Sequence, residues 1–137
     1  MPEAEFTVYE LVGGDVTFRA LVDEFYRRVE ADDALRALFP DDLAAGKEGQ
    51  FLFLTQFFGG PARYAEQRGH PRLRMRHFPF AIDRHARSRW LSHMLAAIDV
   101  VGVQEPMRTI MRDYFERASE HMINVQEPLS PNDSEKR

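Results

Sequence analysis

Phe18, Leu21, Val22, Phe25 and Val29 fall at i, i+3, i+4, i+7 and i+11, which is one apolar face of an α-helix. The same period returns in Ala86, Trp90, Met94, Ala97, Ile98 and Val101. It is most regular in Met107, Ile110, Met111, Tyr114, Phe115, Ala118, Met122 and Val125. No stretch alternates apolar and polar residues long enough to read as a strand, and no internal repeat is found. The chain is therefore expected to be all-α, with about five substantial helices and one very short one. Its 137 residues suit one ordinary domain. The expected bounds are 1–126 for that domain and 127–137 for a flexible C-terminal tail, the polar ending LSPNDSEKR lying at its end.

Glycine, proline and capping residues divide the helices. Asp15, just after Gly13–Gly14, is the expected N-cap of the first long helix, which reaches about Ala31. A short turn of helix from Asp33 to Leu38 is expected to stop at Phe39–Pro40, because the residue before proline avoids the α region. A helix from Ala44 to Phe58 ends at Gly59–Gly60–Pro61, and 59–71 reads as loop. Pro71 then suits the first position of a short helix, PRLRMRH, that Pro79 stops. Asp83 caps the next helix, Gly102 ends it, and Pro106 opens the last.

The net charge of −4 hides a strong asymmetry. Residues 1–62 hold 5 basic and 12 acidic side chains, a net of −7, and 90–137 a net of −3. Residues 63–89 hold eight arginines against Glu66 and Asp83, a net of +6; the only lysines of the chain are Lys47 and Lys136. Such a block reads equally as a solvated face, as a nucleic-acid contact, or as arginine forks gripping carboxylate or phosphate. There is no cysteine, which excludes disulfide scaffolds, thiolate zinc sites, iron–sulfur clusters and thiol nucleophiles. The N-terminus lacks the basic and apolar regions of a signal peptide, and the most apolar run, Phe51 to Phe58, is far short of the ~20 residues that span a bilayer. A cytoplasmic protein is expected.

Motif chemistry removes further classes. HExxH, the ExxH pair of di-iron bundles, the Gly-x-Ser-x-Gly elbow, the phosphate loop and the dinucleotide fingerprint are all missing. His70 precedes a proline and reads as a turn residue; His85 reads as surface, and His93 and His121 as packed or partly solvated. His77 ends a helix of under two turns, with Phe78–Pro79–Phe80 following. A single imidazole on a short rigid element beside aromatics suits one-sided ligation of a haem iron. A histidine resting against the negative end of a helix is an equally ordinary reading. Tyr26, Gln50 and Trp90 each bring a polar group to an otherwise apolar face. Either each finds a routine internal hydrogen bond, or all three serve one pocket.

Three stretches together resemble the truncated haemoglobins of group II, the O-type branch: FYRRVEADDALRALFP (25–40), FLTQFFGGPARYAEQRGHPRLRMRHFPFAI (53–82) and RWLSHM (89–94). The likeness runs over roughly residues 6–126. It implies a two-over-two helical sandwich around haem b. It places His77 on the proximal iron ligand, Tyr26 on the distal tyrosine of the second helix, and Gln50 on an inward distal position. Trp90 falls on the tryptophan that marks groups II and III. Phe39 takes the aromatic position that packs on haem after the short helix, where some members carry tyrosine. Gly46 takes the distal gate position, where many globins have histidine. Arg76 falls where members pair with a propionate, with Tyr64 a second candidate. Phe53, Leu54, Leu73, Met75, Phe80 and Ile82 are then expected along the porphyrin faces and edges.

The function so implied is tight, reversible binding of O2, and of CO and NO, with no nucleic-acid partner, no membrane span, and a monomer or homodimer. A haem-dependent redox enzyme on the same site, converting NO to nitrate or reducing peroxide with an external reductase, is the alternative. A cofactor-free basic module that binds nucleic acid is the third.

Overall fold

The computed structural model describes residues 5–77 and 80–125, and of Arg74 only the backbone. Every regular element among them is an α-helix: α1 Val8–Val12, α2 Gly14–Glu30, α3 Asp33–Arg36, α4 Ala44–Phe57, α5 Arg63–Arg68, α6 Leu73–His77, α7 Arg84–Val101 and α8 Met107–His121. Pro79 and the tail expected at 127–137 lie outside the described residues.

α2 packs against α4, α7 packs against α8, and α2 also packs on α7. The result is two helices over two. The face read from the α2 period is the centre of the core: Phe18, Leu21, Val22, Phe25 and Val29 are fully buried. They meet Met94, Ala97 and Ile98 of α7 and Met111 and Phe115 of α8. Full burial of side chains of this size is worth about 1.5–3 kcal/mol each, so this seam dominates the stability. Ile110 and Val125 share the α8 period but are 44% and 39% exposed, so that apolar stripe is wider than the buried seam.

Several local expectations are corrected. Asp15 does not cap α2; Gly13, in the left-handed region at φ 112°, stands at that position. Asp15 instead accepts from Tyr9 Oη at 2.7 Å and from both terminal nitrogens of Arg63 at 3.1 and 2.7 Å. These bonds pin α1 and the start of α5 to α2. The loop expected at 59–71 contains the helix α5. α6 opens at Leu73 rather than at Pro71, because Arg72 adopts φ 45° and cannot continue a right-handed helix. α1 was not visible in the apolar pattern. It is five residues long and held by a capping box between Thr7 and Glu10. Asp83 caps α7 as expected, accepting from the Ala86 N–H at 2.8 Å, and Gly102 ends that helix in the left-handed conformation.

Four of the eight arginines in 63–89 hold helices together. Arg63 pairs with Asp15, Arg84 and Arg87 with Glu120, and Arg89 with Asp32. The excess acid of the flanking segments is thus the partner of half the basic block.

Candidate functional site

α2, α4, α7 and α8 enclose a cavity of about 370 Å³ whose remaining wall comes from α3, α5 and α6. Phe25, Leu35, Leu38, Phe39, Leu54, Phe53, Phe115 and Met122 make most of its lining apolar. Its volume lies in the range of cofactor and ligand sites.

α6 supplies one edge. Leu73, Arg76 and His77 line the cavity, as residues at i, i+3 and i+4 on one helical face must. Met75, expected along the porphyrin, is turned away by the same geometry; it is 58% exposed and does not line the cavity. His77 Nδ1 lies 2.6 Å from the Leu73 carbonyl oxygen. A carbonyl can only accept, so Nδ1 is the donor of this contact, and in the neutral imidazole Nε2 then holds the lone pair that can ligate.

α2 and α4 supply the opposite side. Tyr26 is 5% exposed, and burial pushes its hydroxyl pKa up to about 12, so the phenol stays protonated and able to donate. Phe39 meets the Tyr26 ring edge-on at 5.9 Å. Arg36 fixes the loop carrying Phe39, donating to the carbonyls of Phe39, Pro40 and Asp41 at 3.4, 2.8 and 2.8 Å. One turn along α4 from Gly46, Gln50 lines the cavity with Oε1 buried and unpartnered. Trp90 of α7 stands edge-on to Phe25 at 5.2 Å and near Phe115 at 5.9 Å. Tyr26 Oη and Trp90 Nε1 likewise have no partner among the described residues. The sequence left open whether these three groups find routine internal bonds; instead all three face one cavity, with none of those bonds made.

The rim is cationic. Arg76 donates Nε to the Pro71 carbonyl at 2.7 Å and lies 5.8 Å from the centre of the Tyr64 ring. Arg68 approaches the same ring at 5.9 Å and reaches the Ala45 carbonyl at 3.5 Å. Its guanidinium lies over Gly49, where a Cβ would run into Nη1. Among the described residues no carboxylate pairs with Arg68, Arg72 or Arg76. Phe80, Ile82, Gly46 and Tyr64 complete the expected lining. Arg68, Gly49 and Tyr114 line it too and were not singled out from the sequence. Tyr114 is the polar exception in the α8 stripe, and burial pushes its hydroxyl to about 12 as well. That lone hydroxyl was the signal available.

A separate polar cluster joins the start of α3 to α7. Asp32, almost fully buried, caps α3 through the Leu35 N–H, accepts from Arg89 Nη1 at 3.0 and 2.9 Å, and lies 2.8 Å from His93 Nε2. The hydrogen bond from His93 is the largest cause holding the Asp32 carboxyl down to about 2, with the Leu35 N–H and Arg89 adding to it against the cost of burial. His93 therefore braces the corner between α2 and α7.

Among the described residues no three His, Asp or Glu side chains converge as metal ligands. What the cavity offers a metal is one imidazole, apolar walls and a cationic rim, which fits an iron held by its own macrocycle. A two-over-two helical sandwich closed on such a pocket defines the globin class. Residues 7–124 match the model of the bacterial-like globin family. The chain is 41% identical over 119 residues to group 2 truncated hemoglobin YjbI of Bacillus subtilis, covering 87% of this chain and 89% of that one. Among solved structures it superposes on the haemoglobin of Chloroflexus aurantiacus with a TM-score of 0.87 at 59% identity, covering 88% of this chain and all of the other. The group II truncated haemoglobin of Bacillus anthracis gives 0.89 at 38%, over 93% and 98%. The chain belongs to the bacterial-like globins, as a truncated haemoglobin of group II.

Family membership implies a haem-binding protein, and the residues present fit that group: Gln50 with its unpartnered Oε1, His77, Arg68 and Arg76 all line one cavity.

Proposed function

We propose that this globin binds haem b through His77 and uses the pocket to hold O2 tightly. The observation that carries this is that Tyr26, Gln50 and Trp90, each able to donate a hydrogen bond, line the same cavity as the His77 imidazole, whose Nδ1 is taken up by the Leu73 carbonyl. When bound, haem supplies an iron that takes one diatomic ligand, O2, CO or NO.

The chain's own residues then set the preference. His77, oriented by the Leu73 carbonyl, would hold the group from one side. Arg76 and Arg68 would meet its propionates at the rim, where arginine forks match carboxylates. Tyr26, Gln50 and Trp90 would donate to a ligand that gathers negative charge and give a neutral one little. Each charge-assisted bond is worth about 1.5–3 kcal/mol. Two of them slow release by a few powers of ten, since ~1.4 kcal/mol is one such power. Gly46 places no side chain among these donors, so Tyr26 reaches the pocket past bare backbone.

Three donors are more than reversible delivery needs. This favours, as a second reading, redox chemistry on the same site, NO to nitrate or peroxide reduction, with an external reductase supplying electrons. Among the described residues no helix is long and apolar enough to cross a membrane.

The first test is a spectrum. Purified protein should show a Soret band that His77→Ala abolishes or strongly shifts; haem binding unaffected by that change would sink the assignment. Turnover with NO or peroxide under steady-state conditions separates the enzyme from the carrier.

A further inference from the structure

α6 is five residues long, too short for stability of its own. Its first turn is tied locally, by Arg76 to the carbonyls of Pro71 and Arg68. Its last turn is tied from the far end of the chain. Asn124, three residues beyond α8, donates Nδ2 to the carbonyls of His77 at 3.1 Å and Phe80 at 2.8 Å. Its Oδ1 accepts from the Ile82 N–H at 2.8 Å. The backbone of Asn124 and of Val125 donates to the Ile82 carbonyl at 2.8 and 3.1 Å. One amide side chain thus uses both its donor and its acceptor on backbone groups 42 to 47 residues away.

The last carbonyls of a helix have no intrahelical donor, and here a side chain meets one of them at the very residue that carries the imidazole. The ring is in turn fixed to its own helix through Nδ1 and Leu73. Ring, helix and Asn124 therefore form one chain of hydrogen bonds ending beside α8. We infer that Asn124 is the positioning residue of His77, holding the end of α6 and so the orientation of the imidazole toward the haem site. This rests on His77 being the iron ligand. Asparagine meets both demands of the place, whereas an ionised aspartate cannot donate and alanine is too short.

The test compares the haem-loaded full chain with Asn124→Ala, Asn124→Asp and His77→Ala. The iron–histidine stretching band in the resonance Raman spectrum of the ferrous, ligand-free form reports how the imidazole is held. Haem transfer to an excess of a haem-free acceptor protein and amide hydrogen exchange at Ile82 are the other readouts. The wild type is expected to show the band and His77→Ala to lack it. Asn124→Ala is expected to shift and broaden it, release haem on the order of tenfold faster, as losses of a supporting bond to a metal ligand do, and unprotect the Ile82 amide. Asn124→Asp keeps the acceptor, so Ile82 stays protected while the band and the haem loss change as in the alanine variant. It also carries the test should the alanine variant fail to fold. A band and a haem-loss rate equal to wild type in both Asn124 variants overturn the inference. A wild-type band that survives His77→Ala overturns the ligand assignment itself, and the role of Asn124 with it.

Discussion

A methyl group on Gly46 would stand 3.1 Å from the hydroxyl oxygen of Tyr26. Few real side chains pack that closely, so the one position on α4 nearest this donor is kept clear by having no side chain. The arrangement makes the donor's placement adjustable from a residue with no side chain of its own to offer a ligand.

Gly46→Ala should therefore push the Tyr26 hydroxyl aside by a few tenths of an ångström. We expect O2 release to quicken about fivefold, equivalent to ~1 kcal/mol of a hydrogen bond. Stability should hold or rise, because alanine is up to ~1 kcal/mol better than glycine inside a helix. Stopped-flow displacement of O2 by CO, with thermal unfolding alongside, measures both. If the alanine acts through Tyr26, adding it to Tyr26→Phe changes the rate no further.

Removing the donors themselves should act more strongly. Tyr26→Phe, Gln50→Leu and Trp90→Phe are each expected to raise the O2 release rate by about ten- to a hundredfold and to leave CO release nearly unmoved. Unchanged O2 rates in all three would end the proposal of tight binding.

Asp32 gives a prediction in pH. Its carboxyl sits at about 2 in the folded protein against an ordinary 3.8, so its ionised form is favoured by folding. That contribution is complete above about pH 4 and is lost as pH falls through about 2. Asp32→Asn retains the cap on Leu35 but gives up the charge facing His93 and Arg89. It should cost about 2 kcal/mol at pH 7, with the gap to wild type closing between pH 4 and 2. Urea unfolding across that range decides it; a constant gap would show that the charge is not the cause.

The turn after α4 should tolerate very little. A Cβ on Gly60 would meet the Thr55 carbonyl oxygen at 2.7 Å and the Tyr9 ring at 2.8 Å, and backbone cannot step aside as a long side chain can. Next to it Gly59 holds φ 98°, open to few residues but glycine. Gly60→Ala is expected to destabilise by about 1–3 kcal/mol, read as a lowered unfolding midpoint with unchanged denaturant dependence.

These cases show which parts of the molecule the sequence makes legible. The long helices were readable because Phe18 to Val29, Ala86 to Val101 and Met107 to Met122 each repeat at helical spacing, and burial against a common core enforces that spacing. The short elements were not. α1 rests on a Thr7–Glu10 capping box, and α5 hides in RYAEQR between glycine and proline with no apolar repeat to betray it. Met75 was misplaced because a likeness extends evenly over α6 while the helix shows the cavity only one face. Least legible were the distant pairings. Arg63 meets Asp15 across 48 residues and Asn124 meets His77 across 47, and no spacing rule relates residues that only the folded chain brings together.

The division of the arginines has a last consequence. Arg63, Arg84, Arg87 and Arg89 are neutralised within the fold, whereas among the described residues no carboxylate pairs with Arg68, Arg72 or Arg76, and Arg68 and Arg76 line the cavity. A protein of net charge −4 thus keeps two guanidinium groups without a carboxylate partner at this cavity. Ionic strength becomes a way to sort its visitors: uncharged gases enter at rates indifferent to salt, whereas an anion is steered to the mouth and slows as the field is screened.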